Sequence, residues 1–252
     1  MKKITIIIPC YNEEKGIGHV IDGIPRERLS AMGYEAEVLV IDNNSKDKTA
    51  LVAASRGARV IHEHRQGKGY AIITGFKNVP EDTDLVVMLD GDNSYRGMEM
   101  LRLIEPLDSQ FCDVIVGTRL SGKISNNSMS YFNRVGNWLF TFLVRVAYSG
   151  NVTDVCTGYF AWKKHVVDDL VRHLESNGFS IEMEMVTKMA KLGYEIYSVP
   201  ISYANREGAS NLRPLKDGSV ILYTWAKNLF WKPRIILATR YAGTTERAED
   251  AT

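Results

Sequence analysis

Short apolar runs alternate with helix-like stretches along the first half of the chain. Runs rich in Ile and Val predict strands at 4–8, 37–41, 58–61, 85–89 and 113–117. The stretches between them predict helices near 13–23, 47–56, 67–78 and 97–105. This alternation is typical of β-α-β units, which build a parallel sheet covered by helices on both faces. We therefore expect an α/β fold with a mostly parallel central sheet.

Polar clusters directly follow three of these predicted strands. They are Tyr11-Asn12-Glu13, Asp42-Asn43-Asn44-Ser45 and Asp90-Gly91-Asp92. Ligands in open α/β sheets bind at the carboxyl ends of the strands, so this edge of the sheet is the expected site. A further loop, Gln66-Gly67-Lys68-Gly69, precedes a predicted helix, where backbone amides can face a phosphate. It matches neither the P-loop nor the dinucleotide-binding glycine pattern, which removes the main support for an ATPase or a dehydrogenase.

The apolar run 85–89 ends on two carboxylates, Asp90 and Asp92, that are separated by one glycine. Two like charges at this spacing repel each other, and a nearby cation relieves the repulsion. Hard oxygen ligands suit Mg²⁺ or Mn²⁺, which usually complete their coordination with substrate phosphates. The alternative interpretation is an acidic turn that closes a strand, because Asp and Asn are common turn formers.

The pattern changes beyond residue 118. We predict a polar loop at 119–130, an aromatic-rich helix near 131–148, mixed short elements over 154–203 and a polar loop at 204–214. The stretch 215–238 combines aromatic side chains with Lys and Arg, and 242–252 is expected to be a frayed tail. In isolation, the aromatic residues Trp138, Phe140 and Phe142 favour burial in the core.

Composition excludes several classes of protein. The 252 residues carry 31 Lys and Arg against 30 Asp and Glu, so the chain lacks the basic field of a nucleic-acid-binding protein. Three widely spaced cysteines support neither a disulfide framework nor a zinc cluster. No stretch approaches the roughly 20 mostly apolar residues of a membrane span, although association with a bilayer surface remains open.

Four segments, IIIPCYNEE, VLVIDNNSKDKT, QGKGYAIITGF and VVMLDGDNSY, resemble in order and spacing the nucleotide-binding half of family 2 glycosyltransferases, which have the GT-A fold. The later segments VGTRL, NRVGNWLF, VTDVCTGYFAWKK, FSIEMEM and YANREGASNLRPLKDG are similar to the polyprenyl-phosphate (dolichol-phosphate) mannose and glucose synthases. The resemblance implies a Rossmann-like GT-A catalytic domain over 1–214, with a nucleotide-binding half, 1–118, and an acceptor-binding half, 119–214. An amphipathic interfacial helical segment, 215–241, and a flexible tail, 242–252, would follow.

The same resemblance assigns roles in donor binding. The nucleotide-sugar site would comprise Pro9, Tyr11, Glu13, Asp42, Lys68 and Gly91. In this assignment the first three line the pocket for the base and ribose, and Asp42 binds one of these groups. Asp90 and Asp92 would hold Mg²⁺ or Mn²⁺ against the diphosphate. Relatives often carry Gln where this chain has Ser94, so the third metal ligand stays open.

The acceptor site is assigned from the same motifs. A lipid monophosphate is already anionic near neutral pH, so it requires cations rather than a general base. Arg119, Arg134 and Arg206, with Ser210, are the expected phosphate-binding residues, and we assign Arg119 and Arg206 together with the two aspartates to catalysis. Relatives tend to carry Ser-Lys where this chain has Ser210-Asn211, so one basic contact to the phosphate is lacking.

An alcohol acceptor would instead need a general base. Asp154 and Glu182 are the candidates for that role, and for both residues an orienting or charge-balancing role is the alternative.

Taken together, the residues and the family resemblance imply a metal-dependent inverting transferase. It would move a hexose, most simply mannose or glucose, from GDP-mannose or a UDP-sugar to polyprenyl (dolichyl) phosphate. Peripheral attachment to the cytoplasmic face of the membrane is expected through 131–148 and 215–238. Two alternatives stay open: a family 2 enzyme with a soluble or glycan acceptor, and a non-catalytic nucleotide-sugar-binding or membrane scaffold protein. The oligomeric state is not predicted.

Overall fold

The computed structural model describes residues 1–148 and 151–233. The strands are β1 Lys2–Cys10, β2 Tyr34–Asp42, β3 Arg59–His62, β4 Leu85–Met88, β5 Val114–Ile124, β6 Phe160–Lys163 and β7 Ile196–Tyr203. The α-helices are α1 Ile17–Asp22, α2 Arg26–Ala31, α3 Thr49–Ser55, α4 Lys68–Lys77, α5 Met100–Asp108, α6 Tyr131–Tyr148, α7 Lys164–Leu170, α8 Ile181–Lys191 and α9 Pro214–Phe230. A short 3-10 helix, Gly97–Glu99, precedes α5.

The strands form one seven-stranded sheet in the order β3-β2-β1-β4-β6-β5-β7. The strands β3, β2, β1 and β4 are mutually parallel, β6 is antiparallel to both of its neighbours, and β7 is parallel to β5. The register pairs Cys10 with Asp42, and Asp42 with His62, so β1, β2 and β3 end at one edge of the sheet. The predicted mostly parallel α/β sheet is confirmed.

The core consists of two apolar layers, one on each face of the sheet. Successive β1 side chains point to opposite faces, so Ile6 and Ile8 belong to one layer while Ile7 belongs to the other. All three are fully buried. Near-continuous Ile and Val runs are expected of parallel strands that helices cover on both sides. Burial of these runs fixes the strands and hence the positions of the loops at their carboxyl ends.

The second half of the chain differs from the prediction in one element. Strand β5 continues to Ile124 and pairs there with Tyr203 of β7, after an irregularity between Thr118 and Lys123. The predicted loop at 119–130 is therefore wrong over its first six residues, and the boundary drawn after residue 118 falls inside a strand. The predicted helix near 131–148 is confirmed as α6.

Helices α6 and α9 pack against each other, with the Tyr148 hydroxyl donating to the Trp225 carbonyl at 3.2 Å. Trp138 is 60% exposed and Phe142 is 50% exposed, and their rings stack with centroids 5.9 Å apart. The interpretation of these two residues, in isolation, as core residues is wrong, whereas Phe140 does pack against the core. Among the described residues, no helix is both long and apolar enough to span a bilayer. The part of 215–241 beyond residue 233 and the tail 242–252 lie outside the described residues.

Candidate active site

A cleft of about 570 Å³ opens beyond the carboxyl ends of β1, β2 and β4. Its volume falls within the usual range for small-molecule sites. The first half of the chain contributes Pro9, Cys10, Tyr11, Glu13, Asn43, Gln66, Gly67, Lys68, Ala71, Asp90, Gly91 and Asp92. The second half contributes Phe179, Arg206, Asn211 and Arg213.

The loops that follow β1 and β2 brace each other at this edge. The Asn12 backbone N–H donates to Ser45 Oγ at 3.0 Å, and the Lys46 N–H donates to Asn12 Oδ1 at 2.8 Å. The Glu13 N–H donates to Thr49 Oγ1 at 2.9 Å. Asn12 has a positive φ of 56°, a conformation that Asn tolerates better than most residues. The polar clusters predicted from the sequence therefore hold Glu13 at the cleft.

Asp90 and Asp92 lie at the floor of the cleft, directly after β4. Asp92 is 4% exposed, and its Oδ1 accepts hydrogen bonds from the Ser94 backbone N–H at 3.0 Å and from the Ser94 hydroxyl. A Cβ added at Gly158 would lie 2.2 Å from Asp90 Oδ2, so the backbone there approaches the carboxylate more closely than any side chain permits. Ser94 thus orients Asp92, and the absence of a side chain at Gly158 leaves room for Asp90.

Lys68, the first residue of α4, joins the two halves of the chain. Its Nζ lies 2.8 Å from Asp90 Oδ1 and 2.7 Å from Glu182 Oε1 at the start of α8. Burial alone would lower the pKa of Lys68, but the two carboxylates outweigh it and raise that pKa. Burial also raises the pKa of Glu182, which is partly offset by the adjacent ammonium. Lys68 is therefore a permanent cation between two carboxylates.

Arg206 supplies the second cation of the cleft. Its Nη2 lies 3.0 Å from Glu13 Oε1 and 3.5 Å from Asp92 Oδ2. Its buried Nε has no hydrogen-bond partner among the described residues. The loop that carries it is held by the Glu207 N–H, which donates to the Asp92 carbonyl at 2.8 Å. The Nε–H of Arg206 is therefore an unused hydrogen-bond donor beside Asp90 and Asp92.

The carboxylates outnumber these two cations, and the excess negative charge shifts their protonation. Burial, followed by the charges of Asp92 and Asp90, raises the pKa of Glu13 to about 8, although Arg206 opposes the shift. Burial and the neighbouring Asp90 charge likewise raise the pKa of Asp92. The cleft therefore favours the arrival of further positive charge.

Comparison with known proteins identifies the family of the chain. The model of the family described as Glycosyl transferase family 2 matches residues 5–171, which is more than half of the chain. The chain belongs to glycosyltransferase family 2.

Relatives of this glycosyltransferase occur in Haloferax volcanii. Glycosyltransferase AglJ of that organism is 34% identical over 232 residues, covering 89% of this chain and 72% of AglJ. A dolichyl-phosphate hexose transferase of the same organism is 33% identical over 218 residues, covering 86% of this chain and 90% of the relative. These similarities confirm the sequence-based resemblance to the polyprenyl-phosphate sugar synthases.

A solved structure confirms the predicted GT-A fold. Glucosyl-3-phosphoglycerate synthase from Mycobacterium tuberculosis, in complex with Mn²⁺, UDP and glucosyl-3-phosphoglycerate, superposes with a TM-score of 0.70 at 22% identity. The match covers 92% of this chain and 82% of that protein. At this identity the likeness establishes the fold of the glycosyltransferase, and its ligands are those of the mycobacterial enzyme.

The structure brings most of the residues assigned to donor binding into the cleft of this glycosyltransferase: Pro9, Tyr11, Glu13, Lys68 and Gly91 all line it. Asp42 does not line the cleft, and its Oδ2 lies 3.0 Å from His62 Nδ1. Asp42 Oδ1 is buried without a hydrogen-bond partner among the described residues. Its assignment to base or ribose binding stays a prediction.

Of the residues assigned to the acceptor phosphate, Arg206 alone lines the cleft. Arg119 is 7% exposed; its Nε and Nη2 donate to Asp154 at 2.8 and 2.9 Å, and Nη2 also donates to the Cys156 carbonyl. Arg134 and Ser210 are exposed. The geometry of Arg119 favours a structural role over a direct contact with substrate, and the phosphate assignments stay predictions.

The two candidate bases are both engaged by cations. Asp154 is fully buried and accepts hydrogen bonds from the Arg119 backbone and guanidinium and from Asn137 Nδ2. Glu182 faces Lys68, as described above. These contacts favour the orienting and charge-balancing interpretation for both residues.

The cleft also contains residues to which the sequence analysis assigned no individual role, among them Asn43, Phe179 and Arg213. The Asn43 side chain ties down the Gln66-Gly67 loop, since its Nδ2 donates to the Arg65 carbonyl at 2.7 Å and its Oδ1 accepts from the Gly67 N–H at 2.6 Å. The strand-end position of Asn43 was a usable signal for such a role. Phe179 and Arg213 lie in motifs quoted for the resemblance, but the motifs do not show which side chains face the cleft.

The donor atoms at the end of β4 fit a divalent cation that is shared with a substrate. Within residues 1–148 and 151–233, no three His, Cys, Asp or Glu side chains are grouped so that they could hold a metal ion. Asp90 and Asp92 supply carboxylate oxygens, and the raised pKa of Asp92 marks a site that gains from added positive charge. Mg²⁺ is commonly bound by one or two carboxylates together with substrate phosphates. The pair fits that pattern, with the diphosphate needed to complete the coordination.

Proposed function

We propose that this glycosyltransferase moves one hexose, mannose or glucose, from GDP-mannose or a UDP-sugar to polyprenyl (dolichyl) phosphate, with inversion at the anomeric carbon. Mg²⁺ or Mn²⁺ would be held by Asp90 and Asp92. The similarity to a dolichyl-phosphate hexose transferase supports the acceptor class. The Mn²⁺ and UDP of the mycobacterial fold relative support the donor class.

One observation carries the proposal. Both candidate general bases form ion pairs with side-chain cations of the protein, while the cleft itself contains arginine side chains. Asp154 is fully hydrogen-bonded to Arg119 and Asn137, and Glu182 is paired with Lys68. An alcohol acceptor requires a base that is free to take a proton. A phosphate monoester is already anionic and requires only cations to hold it. The residues therefore favour a phosphate acceptor.

The reaction needs charge control and orientation from the protein. An acceptor phosphate oxygen forms the new bond to the anomeric carbon, and the bond from that carbon to the donor diphosphate breaks, its electron pair leaving with the diphosphate. A divalent ion bound at the aspartate pair would supply Lewis-acid stabilisation of this leaving group. Arg206 lies beside the pair and offers its unpartnered Nε to phosphate oxygens. Lys68 keeps Asp90 in place.

We further propose that the protein works as a peripheral protein on the cytoplasmic face of a membrane. Helix α6 exposes Tyr131, Phe132, Val135, Trp138, Leu139, Phe142 and Val146, and α9 exposes Leu215, Val220, Leu222, Tyr223 and Phe230. Arg134 and Arg145 are exposed on the same helix as the first group. Aromatic and aliphatic side chains with flanking cations are typical of helices that lie in the bilayer interface.

A donor panel tests the proposal. GDP-mannose, UDP-glucose and related donors, each labelled in the sugar, are incubated with polyprenyl phosphate and Mg²⁺ or Mn²⁺, and the product is extracted into organic solvent. We expect label in the organic phase for one donor. Transfer only to a phosphorylated small acid or a glycan would overturn the lipid acceptor, and nucleotide binding without turnover on any acceptor would overturn the enzymatic proposal.

Asp92→Asn tests the metal assignment, because it removes the charge and keeps the side-chain volume. We expect transfer to fall at least about 100-fold, since a metal contributes several kcal/mol of leaving-group stabilisation. Calorimetric titration of Mn²⁺ in the presence of UDP should show weakened binding. Asp82→Asn, which removes an exposed carboxylate paired with Lys3 outside the cleft, is the control. Wild-type turnover and Mn²⁺ affinity in Asp92→Asn would refute the assignment.

A further inference from the structure

Arg213 lines the cleft at the point where the polar loop 204–213 meets α9. Asn211 and Arg213 line the same cleft as Asp90 and Asp92. The late loop therefore contributes an amide and a guanidinium to the site.

The ion pairing of Arg213 differs from that of the other arginines near the site. Arg119 is paired with buried Asp154, and Arg206 with Glu13 and Asp92. Arg213 is exposed, and no carboxylate of the described residues lies within ion-pair distance of its guanidinium. Its backbone N–H donates to Asp217 Oδ2 at 2.6 Å, which fixes the main chain and leaves the side chain available. Arg213 thus brings a positive charge to the cleft that the protein itself does not neutralise.

The position of Arg213 also links the cleft to the apolar surface of the protein. It immediately precedes Pro214, the first residue of α9, and the next residue, Leu215, is 79% exposed. Helix α9 packs against α6, which carries the exposed stacked pair Trp138 and Phe142. An acceptor with an anionic head and an apolar tail would cross this junction as its head enters the cleft.

We propose that Arg213 binds the phosphate monoester head of the acceptor at the mouth of the cleft. The inference rests on the proposed transfer to a phosphate acceptor and names the residue that determines acceptor affinity. A guanidinium forms two parallel hydrogen bonds to phosphate oxygens, which gives orientation as well as attraction. Arg206, close to the aspartate pair, serves the reacting end, whereas Arg213 captures the incoming head. A lipid phosphate and a soluble phosphorylated acid share this head, so the test includes both.

Steady-state kinetics on the full chain test the role of Arg213. The acceptors are polyprenyl phosphate, a short isoprenyl phosphate and phosphoglyceric acid. For Arg213→Gln we expect the acceptor KM to rise about tenfold, in line with the loss of a charged hydrogen bond, with kcat and donor KM changed less than about twofold. Arg213→Lys should recover part of the affinity. Arg28→Gln, the same substitution at an exposed arginine of α2 near the amino end of β2, should match the wild type.

The acceptor that shows the Arg213 effect identifies the source of the phosphate. If Arg213→Gln raises the KM for the isoprenyl phosphates, Arg213 recognises the phosphate head of a lipid. If it raises only the KM for phosphoglyceric acid, Arg213 still recognises phosphate, but the proposed lipid acceptor is overturned. An unchanged acceptor KM in Arg213→Gln overturns the inference. An equal loss of donor affinity also overturns it, because Arg213 would then contact the donor diphosphate.

Direct binding separates this inference from the proposed function. Calorimetric titration of the short isoprenyl phosphate into wild type and Arg213→Gln, with UDP and Mn²⁺ present, requires no turnover. Binding that depends on Arg213 without any sugar transfer would overturn the proposed function and support the inference. Equal binding to both proteins would overturn the inference alone, and no binding to the wild type would overturn both.

Discussion

At the scale of single residues, the cleft is organised by a shortage of positive charge. Three carboxylates, Glu13, Asp90 and Asp92, share two close cations, Lys68 and Arg206. The mismatch is visible in the pKa of Glu13, which burial and the two aspartates raise to about 8. The excess negative charge makes the end of β4 a site that would be stabilised by an added cation.

The Glu13 pKa leads to a pH prediction for the metal-free protein. The pKa of Glu13 is about 8 in the folded protein, against an ordinary value of 4.5. Between these two pH values the folded protein binds a proton that the unfolded chain does not. The contribution of Glu13 therefore lowers the free energy of unfolding progressively as the pH rises from 4.5 to about 8. We expect Glu13→Gln to unfold at a similar urea concentration to the wild type near pH 5 and at a higher one near pH 8. A difference that shrinks as pH rises would contradict the charge assignment.

The pair Arg119 and Asp154 leads to a stability prediction. Asp154 is fully buried, so Arg119→Met would leave an uncompensated charge in the interior. We expect the free energy of unfolding to fall by about 3–5 kcal/mol, measured by urea denaturation. Exposed Arg134→Gln should change it by less than about 0.5 kcal/mol. Full stability in Arg119→Met, with only acceptor affinity lost, would restore Arg119 as a phosphate ligand.

At the scale of secondary structure, local patterns predicted some elements well and missed others for a physical reason. The buried strands β1, β2 and β4 and the helices α3 and α4 lie where the apolar and amphipathic patterns place them. The extension of β5 was missed because residues 119–124 are largely polar, and their strand conformation depends on pairing with β7, about 80 positions later in the chain. Such long-range pairing leaves no local signal. The same limitation hid the approach of Arg213 to the cleft.

The exposed face of α6 supports a prediction about the membrane. Replacing Trp138 and Phe142 together by Ser removes a stacked aromatic pair from the surface, so α6 should remain folded. We expect co-sedimentation with vesicles of anionic phospholipid to fall about tenfold or more, because each aromatic side chain contributes roughly 1.5–3 kcal/mol when it leaves water. Turnover with a short, water-soluble isoprenyl phosphate should persist.

Leu51→Ser, at a 70% exposed position on α3, is the matched control for loss of exposed apolar area. If the α6 double variant sediments with vesicles as the wild type does, this face does not bind the bilayer. If both variants lose vesicle binding equally, the effect reflects general surface hydrophobicity rather than an interfacial helix.

At the scale of the whole molecule, the site is assembled from both halves of the chain. The strand-end residues Glu13, Asp90 and Asp92 were predictable because the ends of parallel strands meet at one edge. The contributions of the second half depend on how the loop 204–213 and α8 fold back over that edge. Sequence motifs indicated that these segments matter, whereas only the structure shows that Arg206 faces the cleft and that Arg119 is bound to Asp154.

The ammonium of Lys68 also has a consequence for the protein at rest. Since it touches one carboxylate from β4 and another from α8, it acts as a built-in counterion that fastens the two halves before any ligand arrives. This contact holds β4 and α8 together without a ligand. On the proposed function, the donor diphosphate would complete the coordination of a second cation at Asp90 and Asp92, so metal uptake would follow donor binding.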